Sequence, residues 1–334
     1  MALSWNRVHL IAAREALEAH RDLRSDLSQR IDPFVALATA GVVVLRRPLG
    51  RLAGAYIAAN PTEGSVPGVL IHAGHPLSKQ RYTAAHELCH HRRDQATIFD
   101  EDTEWLGRGE DRQSDRERIA EAFAAWFLMP QRLVKSVLAR LGIAVDRLDA
   151  SQAYAVSLEL GTSYEATLRH MVDLKLLSTP QRDQLLRVEP KAIKEQLGAL
   201  DAVADTRRNI WLVTARQEKR LLHPLEGDAV VIVLQEIPSS GYLWQPAVIP
   251  DGLTLIHDEF TGAHEMTFGG RGQHRFHFRV EGVIADLVTR DLRMEMRRPW
   301  QRNAATESVD IAIQAEPQPR PGMVQPSQLV AVSA

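Results

Sequence analysis

One cysteine, Cys89, occurs in the whole chain, so no intrachain disulfide can form and a disulfide-stapled fold is excluded. No segment approaches the roughly 18 consecutive apolar residues that a membrane-spanning helix requires. The opening stretch, MALSWNRVHLIAAREALEAHRD, has Arg14, Glu15, Glu18 and Arg21 inside its apolar pattern, which a secretory signal would not tolerate. Neither sign of charge dominates: 40 basic residues against 42 acidic ones leave a net charge of -2, with no general pull toward nucleic acid or an anionic membrane. These absences predict a cytoplasmic protein without membrane contact. A hydrophobic content of 45% with 25% charged residues suits a globular chain, and 334 residues exceed one ordinary core, so two or three domains are expected.

The periodicity changes along the chain. Residues 7–30 read as an amphipathic helix, and Asp32-Pro33 starts a second one that Gly41 ends. GVVVLRR, AGAYIAAN and GVLIHAG are strand candidates. Ser78 is placed to cap a helix through KQRYTAAHELCHHRRD; a polar loop follows from about Asp94 to Ser114, then a helix DRERIAEAFAAWFLM that stops at Pro130. Residues 131–205 read as helical, and LELG-TS-YEATLRHMVDL has helix-turn-helix proportions. From about Asn209 the pattern is that of strands: DAVVIVLQEI as a buried run, then HRFHFRV and LRMEMRR in alternation. HRFHFRV puts Phe276, Phe278 and Val280 on one face, with Arg275, His277 and Arg279 on the other. The residues after Asn303 lose periodicity and gain Pro and Gln.

His86-Glu87-Leu88-Cys89-His90 is H-E-x-x-H on a predicted helix. Histidines four apart stand one turn above each other and can share one zinc ion, with Glu87 beside them to take a proton from a water at the metal. A catalytic zinc takes three protein ligands. The next helix offers Glu117 and Glu121, one turn apart on an otherwise apolar face, where a carboxylate is costly unless it is paired or bound to metal. The assignment that follows is Glu117 as third ligand and Glu121 as the group orienting a ligand histidine, with the reverse left open. The blander reading is a polar surface helix, with Glu121 paired to Arg118 or Arg132. His91, Asp94 and Asp115 read as solvated polar residues.

RYTAAHELCHH followed by ERIAEAFAAWFLMP, with IDPFVALATAGVVV upstream, resembles the ImmA/IrrE family of bacterial zinc metallopeptidases over roughly residues 5–180. The resemblance implies Zn2+ as cofactor, Glu117 as the metal-ligand position and a gluzincin-like core, with Glu121 where Asn is usual and Cys89 where Gly is usual. It also implies a stress-related or mobile-element role and a helix-turn-helix repressor as substrate. The segment 151–178 offers Arg169, His170 and Lys175 but also Glu165 and Asp173, so direct nucleic-acid binding is not expected.

IPSSGYLW, FGGRGQHRFHF and RRPW occur in that order, and together they resemble the chagasin-type inhibitors of papain-like cysteine peptidases. Pro238, Ser239, Ser240, Gly241 and Tyr242 match that family's first loop, Gly270 and Gly272 its second, and Arg298, Pro299 and Trp300 its third. Ile237 stands where Asn is usual. A papain-like cysteine peptidase is the partner so implied.

The expected fold is therefore α+β: a gluzincin-like zinc peptidase core at 1–135, a helical extension at 136–205, an all-β immunoglobulin-like sandwich at 206–302 and a flexible tail at 303–334. The expected function is zinc-dependent endoproteolysis of a regulatory protein. The alternative is an interaction or inhibitor protein with a vestigial metal core.

Overall fold

The computed structural model describes residues 2–94, 97–101, 114–198, 205, 207–214, 220–262, 272–282, 288–301 and 305–324. Two compact units divide the chain, one comprising residues 1–137, 156–182 and 319–334, the other 138–155 and 183–318. Among the described residues, no helix is long and apolar enough to cross a membrane.

In the first unit, helix α1 (Trp5–Asp22) buries Val8, Ala12, Ala16 and Ala19 on one stripe. It ends eight residues before the position that periodicity suggested. Arg24 turns to φ 52, and the Asp26 carboxylate takes the Ser28 N–H and hydroxyl in a tight local turn. Helix α2 (Pro33–Thr39) is capped by Asp32, which accepts from the amides of Phe34 and Val35. Strands β1 (Val43–Arg47), β2 (Leu52–Ile57) and β3 (Gly68–His72) follow. Helix α3 (Leu77–Arg93) starts directly behind Pro76 with no side-chain cap, so Ser78 lies inside the first turn and does not cap it.

Strand β4 (Ile98–Glu101) lies inside the stretch that composition marked as polar loop, and pairs antiparallel with β2. Helix α4 (Asp115–Leu128) then packs across α3 and α1. Helices α5 (Gln131–Arg140), α6 (Ala150–Leu160), α7 (Tyr164–Asp173), α8 (Thr179–Leu186) and α9 (Pro190–Gln196) make up the helical region.

The second unit carries β5 (Ile210–Thr214), β6 (Leu221–Leu222), β7 (Ala229–Glu236), β8 (Leu243–Val248), β9 (Leu253–Gly262), β10 (Gly272–Val280), β11 (Arg290–Arg297) and β12 (Glu307–Ile313). They form two four-stranded sheets, β5-β7-β10-β9 and β6-β12-β11-β8. Ala229, Val230, Val231, Ile232 and Leu234 are all fully buried, which explains why β7 reads as a continuous apolar run. His277, expected on the polar face of β10, is itself buried.

Strands continue past residue 302. Val309, Ile311 and Ile313 of β12 alternate into the interior, a short pattern outweighed in the sequence by the Pro- and Gln-rich residues around it. Strand β13 (Gly322–Met323) belongs to the first unit, whose sheet order is β13-β1-β3-β2-β4. The arrangement is mixed α+β with a β-rich C-terminal part.

Candidate functional site

The first turn of α4 and the middle of α3 supply the donors. Ser114 caps α4 by accepting from the Glu117 amide, so Glu117 occupies the first turn, where the helix dipole favours a carboxylate. His86 Nε2 and His90 Nε2 lie 3.0 Å apart, and Glu117 Oε2 is 3.3 Å from the first and 3.4 Å from the second. Ligand atoms about 2.0–2.2 Å from a tetrahedral zinc are separated by roughly 3.3 Å, so this triangle suits that ion. Among the described residues, these three form the one cluster of His, Cys, Asp and Glu able to hold a metal. Burial works to raise the Glu117 pKa, but the hydrogen bonds and charge of both imidazoles outweigh it and hold the carboxyl below its usual range.

Glu87 is completely buried one residue after His86. It is accommodated because β2 passes beneath it at Gly54: a Cβ there would stand 2.6 Å from Glu87 Oε1 and 2.4 Å from Thr83 Cγ2. Gly54 was not singled out in the sequence, where a glycine inside a strand is the available signal of such a close approach.

Asp94, read from sequence as solvated, lies instead against the cluster. Its Oδ2 is 2.6 Å from His90 Nδ1 and 3.0 Å from Arg116 Nε, so the C-cap of α3, one turn after His90, sets a carboxylate against the histidine's outer nitrogen. Glu121 is not among the clustered donors, and its backbone carbonyl accepts the Tyr82 hydroxyl at 2.6 Å. Arg118 engages Asp115 and the Leu3 carbonyl. The Cys89 thiol is buried, and desolvation pushes its pKa up, which makes it a packing group with little thiolate character.

Helix α7 is largely interior: Tyr164, Ala166, Thr167, Leu168, His170 and Met171 are buried. Of its expected basic contacts, His170 faces the Met129 carbonyl at 3.1 Å, and Arg169 pairs with Glu165.

In the second unit, two of the three loop motifs meet. The backbone of Pro238–Ser240 forms a 3-10 turn that Ser240 Oγ closes onto the Ile237 carbonyl at 2.6 Å. Gly241 follows at φ +77 with the Trp300 ring directly over it, so close that a Cβ would lie 2.8 Å from the indole. Arg298 stacks 4.4 Å above the Tyr242 ring and donates to the Ser240 carbonyl at 3.2 Å. Pro299 and Ser239 are exposed beside them, and Trp300 is 70% exposed. Gly272 opens β10 opposite Gly262, while Gly270 lies outside the described residues.

Residues 37–167 match the IrrE N-terminal-like domain, and residues 225–314 match the chagasin family peptidase inhibitor I42. No curated protein is a significant match. Among solved structures, the chain is similar to the cysteine protease inhibitor EhICP2 from Entamoeba histolytica, at 19% identity over 33% of this chain and 97% of that one, with a TM-score of 0.29. It is also similar to amebosin, at 16% identity, 33% and 98% coverage and a TM-score of 0.24. A third is PbICP-C, solved in complex with falcipain-2, at 14% identity, 33% and 91% coverage and a TM-score of 0.21. The chain thus joins two stretches in tandem, the first matching the IrrE N-terminal-like peptidase family and the second the chagasin-family inhibitors.

Proposed function

We propose that the protein is a zinc-dependent endopeptidase of gluzincin-like build that cleaves a helix-turn-helix repressor, and that it carries a C-terminal module of peptidase-inhibitor type. The observation that carries this reading is the triangle of His86 Nε2, His90 Nε2 and Glu117 Oε2, with sides of 3.0, 3.3 and 3.4 Å, beside a buried Glu87. The IrrE-like match over residues 37–167 supports it, and the repressor substrate rests on the resemblance to the ImmA/IrrE family. The domain limits proposed are 1–135 and 136–205, with the sandwich starting at 206 and extended beyond 302 to take in β12. A cytoplasmic setting is part of the proposal, supported by the free Cys89 thiol.

His86, His90 and Glu117 would hold the ion, with Asp94 fixing the tautomer and orientation of His90. Glu121 is proposed to assist from α4. Bound zinc supplies Lewis acidity, which polarises a peptide carbonyl and lowers the pKa of water. Glu87 removes one proton from the attacking water and delivers it to the departing amide nitrogen. The hydroxyl thus joins the carbonyl carbon as the C–N bond breaks, and the new amine leaves with the transferred proton.

A second reading is favoured by the meeting of Tyr242 with Arg298 and of Gly241 with Trp300. In it the protein acts as an inhibitor or interaction partner of papain-like cysteine peptidases, and its metal core is vestigial. The loops would present an exposed indole and backbone groups to a peptidase cleft. Co-expression with repressors separates the two readings, comparing the native protein with Glu87→Gln. Fragments formed only by the native protein, at equal zinc content, support the enzyme. Equal fragmentation by both proteins removes Glu87 as base. No fragments from either, together with inhibition of papain, favours the second reading.

A further inference from the structure

Tyr56 lies two residues after Gly54 on β2, so both face α3 from the same side of the strand. His91 follows Glu87 by one turn of α3 and lies on the same side of that helix. The two rings meet one step beyond the buried Glu87: Tyr56 Oη is 3.1 Å from His91 Nδ1, and the rings stand edge to face with centroids 5.6 Å apart. Tyr56 is 3% exposed, whereas His91 is half-buried and reaches the surface.

Beyond this pair β2 ends, the chain runs on through Ala58 and Ala59, and Pro67 leads into β3. With Ala40, the C-cap of α2, these small side chains leave a cavity of about 560 Å³ beside Tyr56 and His91. Sites for small molecules span about 300–1,000 Å³ and combine an apolar wall with a few fixed polar groups. Among the described lining residues the charged one is Arg92, and its guanidinium is engaged, Nε to Glu15 at 2.8 Å and Nη2 to Asp22 at 2.9 Å. Burial, and after it the Arg92 charge, lower the His91 pKa, and burial raises that of Tyr56, so both rings are neutral near pH 7. The wall therefore favours neither an anion nor a cation.

The contact between phenol and imidazole uses one hydrogen. If the phenol donates to Nδ1, Nε2 carries the ring proton; if Nδ1 donates, the phenol keeps its own. Either tautomer leaves the pair one N–H or O–H to donate to a ligand.

We propose that this cavity at the ends of β2 and α3 binds a neutral, planar aromatic molecule bearing a hydrogen-bond acceptor, with its ring against the alanine and proline walls and its acceptor on the Tyr56–His91 pair. The site does not depend on the endopeptidase reading. A bound ring would lie against the same faces of β2 and α3 that hold Gly54 and Glu87, one helical turn from the proposed base.

Three probes of one shape separate the charge states: 4-fluorobenzamide is neutral, 4-fluorobenzoate anionic and 4-fluorobenzamidine cationic. Each is titrated with the full-length protein near neutral pH and followed by the broadening of its 19F resonance. The expected result is saturable binding of the benzamide, with the benzoate and the benzamidine at least about tenfold weaker. Ala59→Trp, from the exposed rim, and Ala58→Phe, from the neighbouring position, fill the cavity, and each should weaken benzamide binding at least about tenfold. Ala59→Ser keeps the space and should bind as the native protein does. Thermal unfolding at the native temperature identifies a filled variant as folded, and either variant suffices. No saturable binding of the benzamide, or binding that survives in a folded filled variant, overturns the site. A benzoate or benzamidine that binds as tightly as the benzamide overturns the assigned ligand class.

Discussion

Replacing Gly54 with alanine places a methyl group where β2 runs under α3. The new Cβ would lie 2.4 Å from Thr83 Cγ2, 2.6 Å from Glu87 Oε1 and 3.2 Å from the Leu70 carbonyl oxygen. Ordinary contact begins near 3.4 Å, so both α3 side chains must retreat by roughly 1 Å. Neither can swing into solvent, because Thr83 is 6% exposed and Glu87 is fully buried. Overpacking of this kind costs about 1–3 kcal/mol of stability. A reacting group misplaced by about 1 Å loses on the order of 100-fold in rate. None of the three proposed ligands is among the atoms struck, so zinc content should stay at the native level while kcat/KM falls about 100-fold. The measurement is cleavage rate on the fragmented repressor, with zinc by elemental analysis and thermal unfolding in parallel. Adding Thr83→Ser removes the nearest clash but not the one with Glu87, and should recover stability without recovering rate. A Gly54→Ala protein that cleaves at the native rate would refute the placement of Glu87 as base.

Glu117→Ala opens the triangle and should strip zinc from the purified protein; native zinc content would move the ligand role toward Glu121. Asp94→Asn keeps the shape but weakens the carboxylate behind His90, so zinc affinity should drop about 10- to 100-fold in a chelator competition, and an unchanged affinity would dismiss that role. His20 is buried against Phe127, and desolvation lowers its pKa from 6.5 to about 4 despite its hydrogen bond to the Phe127 carbonyl. The folded state therefore resists a proton that the unfolded chain accepts: the contribution is fully present above pH 6.5 and is lost as pH falls toward 4, by up to about 3 kcal/mol. Urea unfolding at both ends of that window should show the loss in the native protein and a smaller one in His20→Gln; equal losses would exclude His20 as the cause.

Several elements were legible because they depend only on local periodicity. H-E-x-x-H on a helix must put His86 and His90 on one face, and Glu117, the third residue of the DRERIAEAFAAWFLM helix, must lie in its first turn. The β7 run and the alternation of β11 likewise report burial on two faces or one. Elsewhere local signals misled. β4 lies in a stretch whose Asp and Glu content resembles loop, and β12 is a seven-residue strand close to prolines and glutamines. A strand is stabilised by its neighbours across the sheet, which composition does not record.

The amino-acid order alone therefore determined which side chains could share a metal, with Glu117 and Glu121 both open, since helical spacing acts over a few residues; the three C-terminal loops came only from the resemblance to the chagasin-type inhibitors. Only the tertiary structure decided that Gly54 makes room for Glu87 and that Arg298 lies over the Tyr242 ring. Each of these contacts joins residues from different elements. Their distances are set by how strands and helices pack, and no spacing along the chain encodes that.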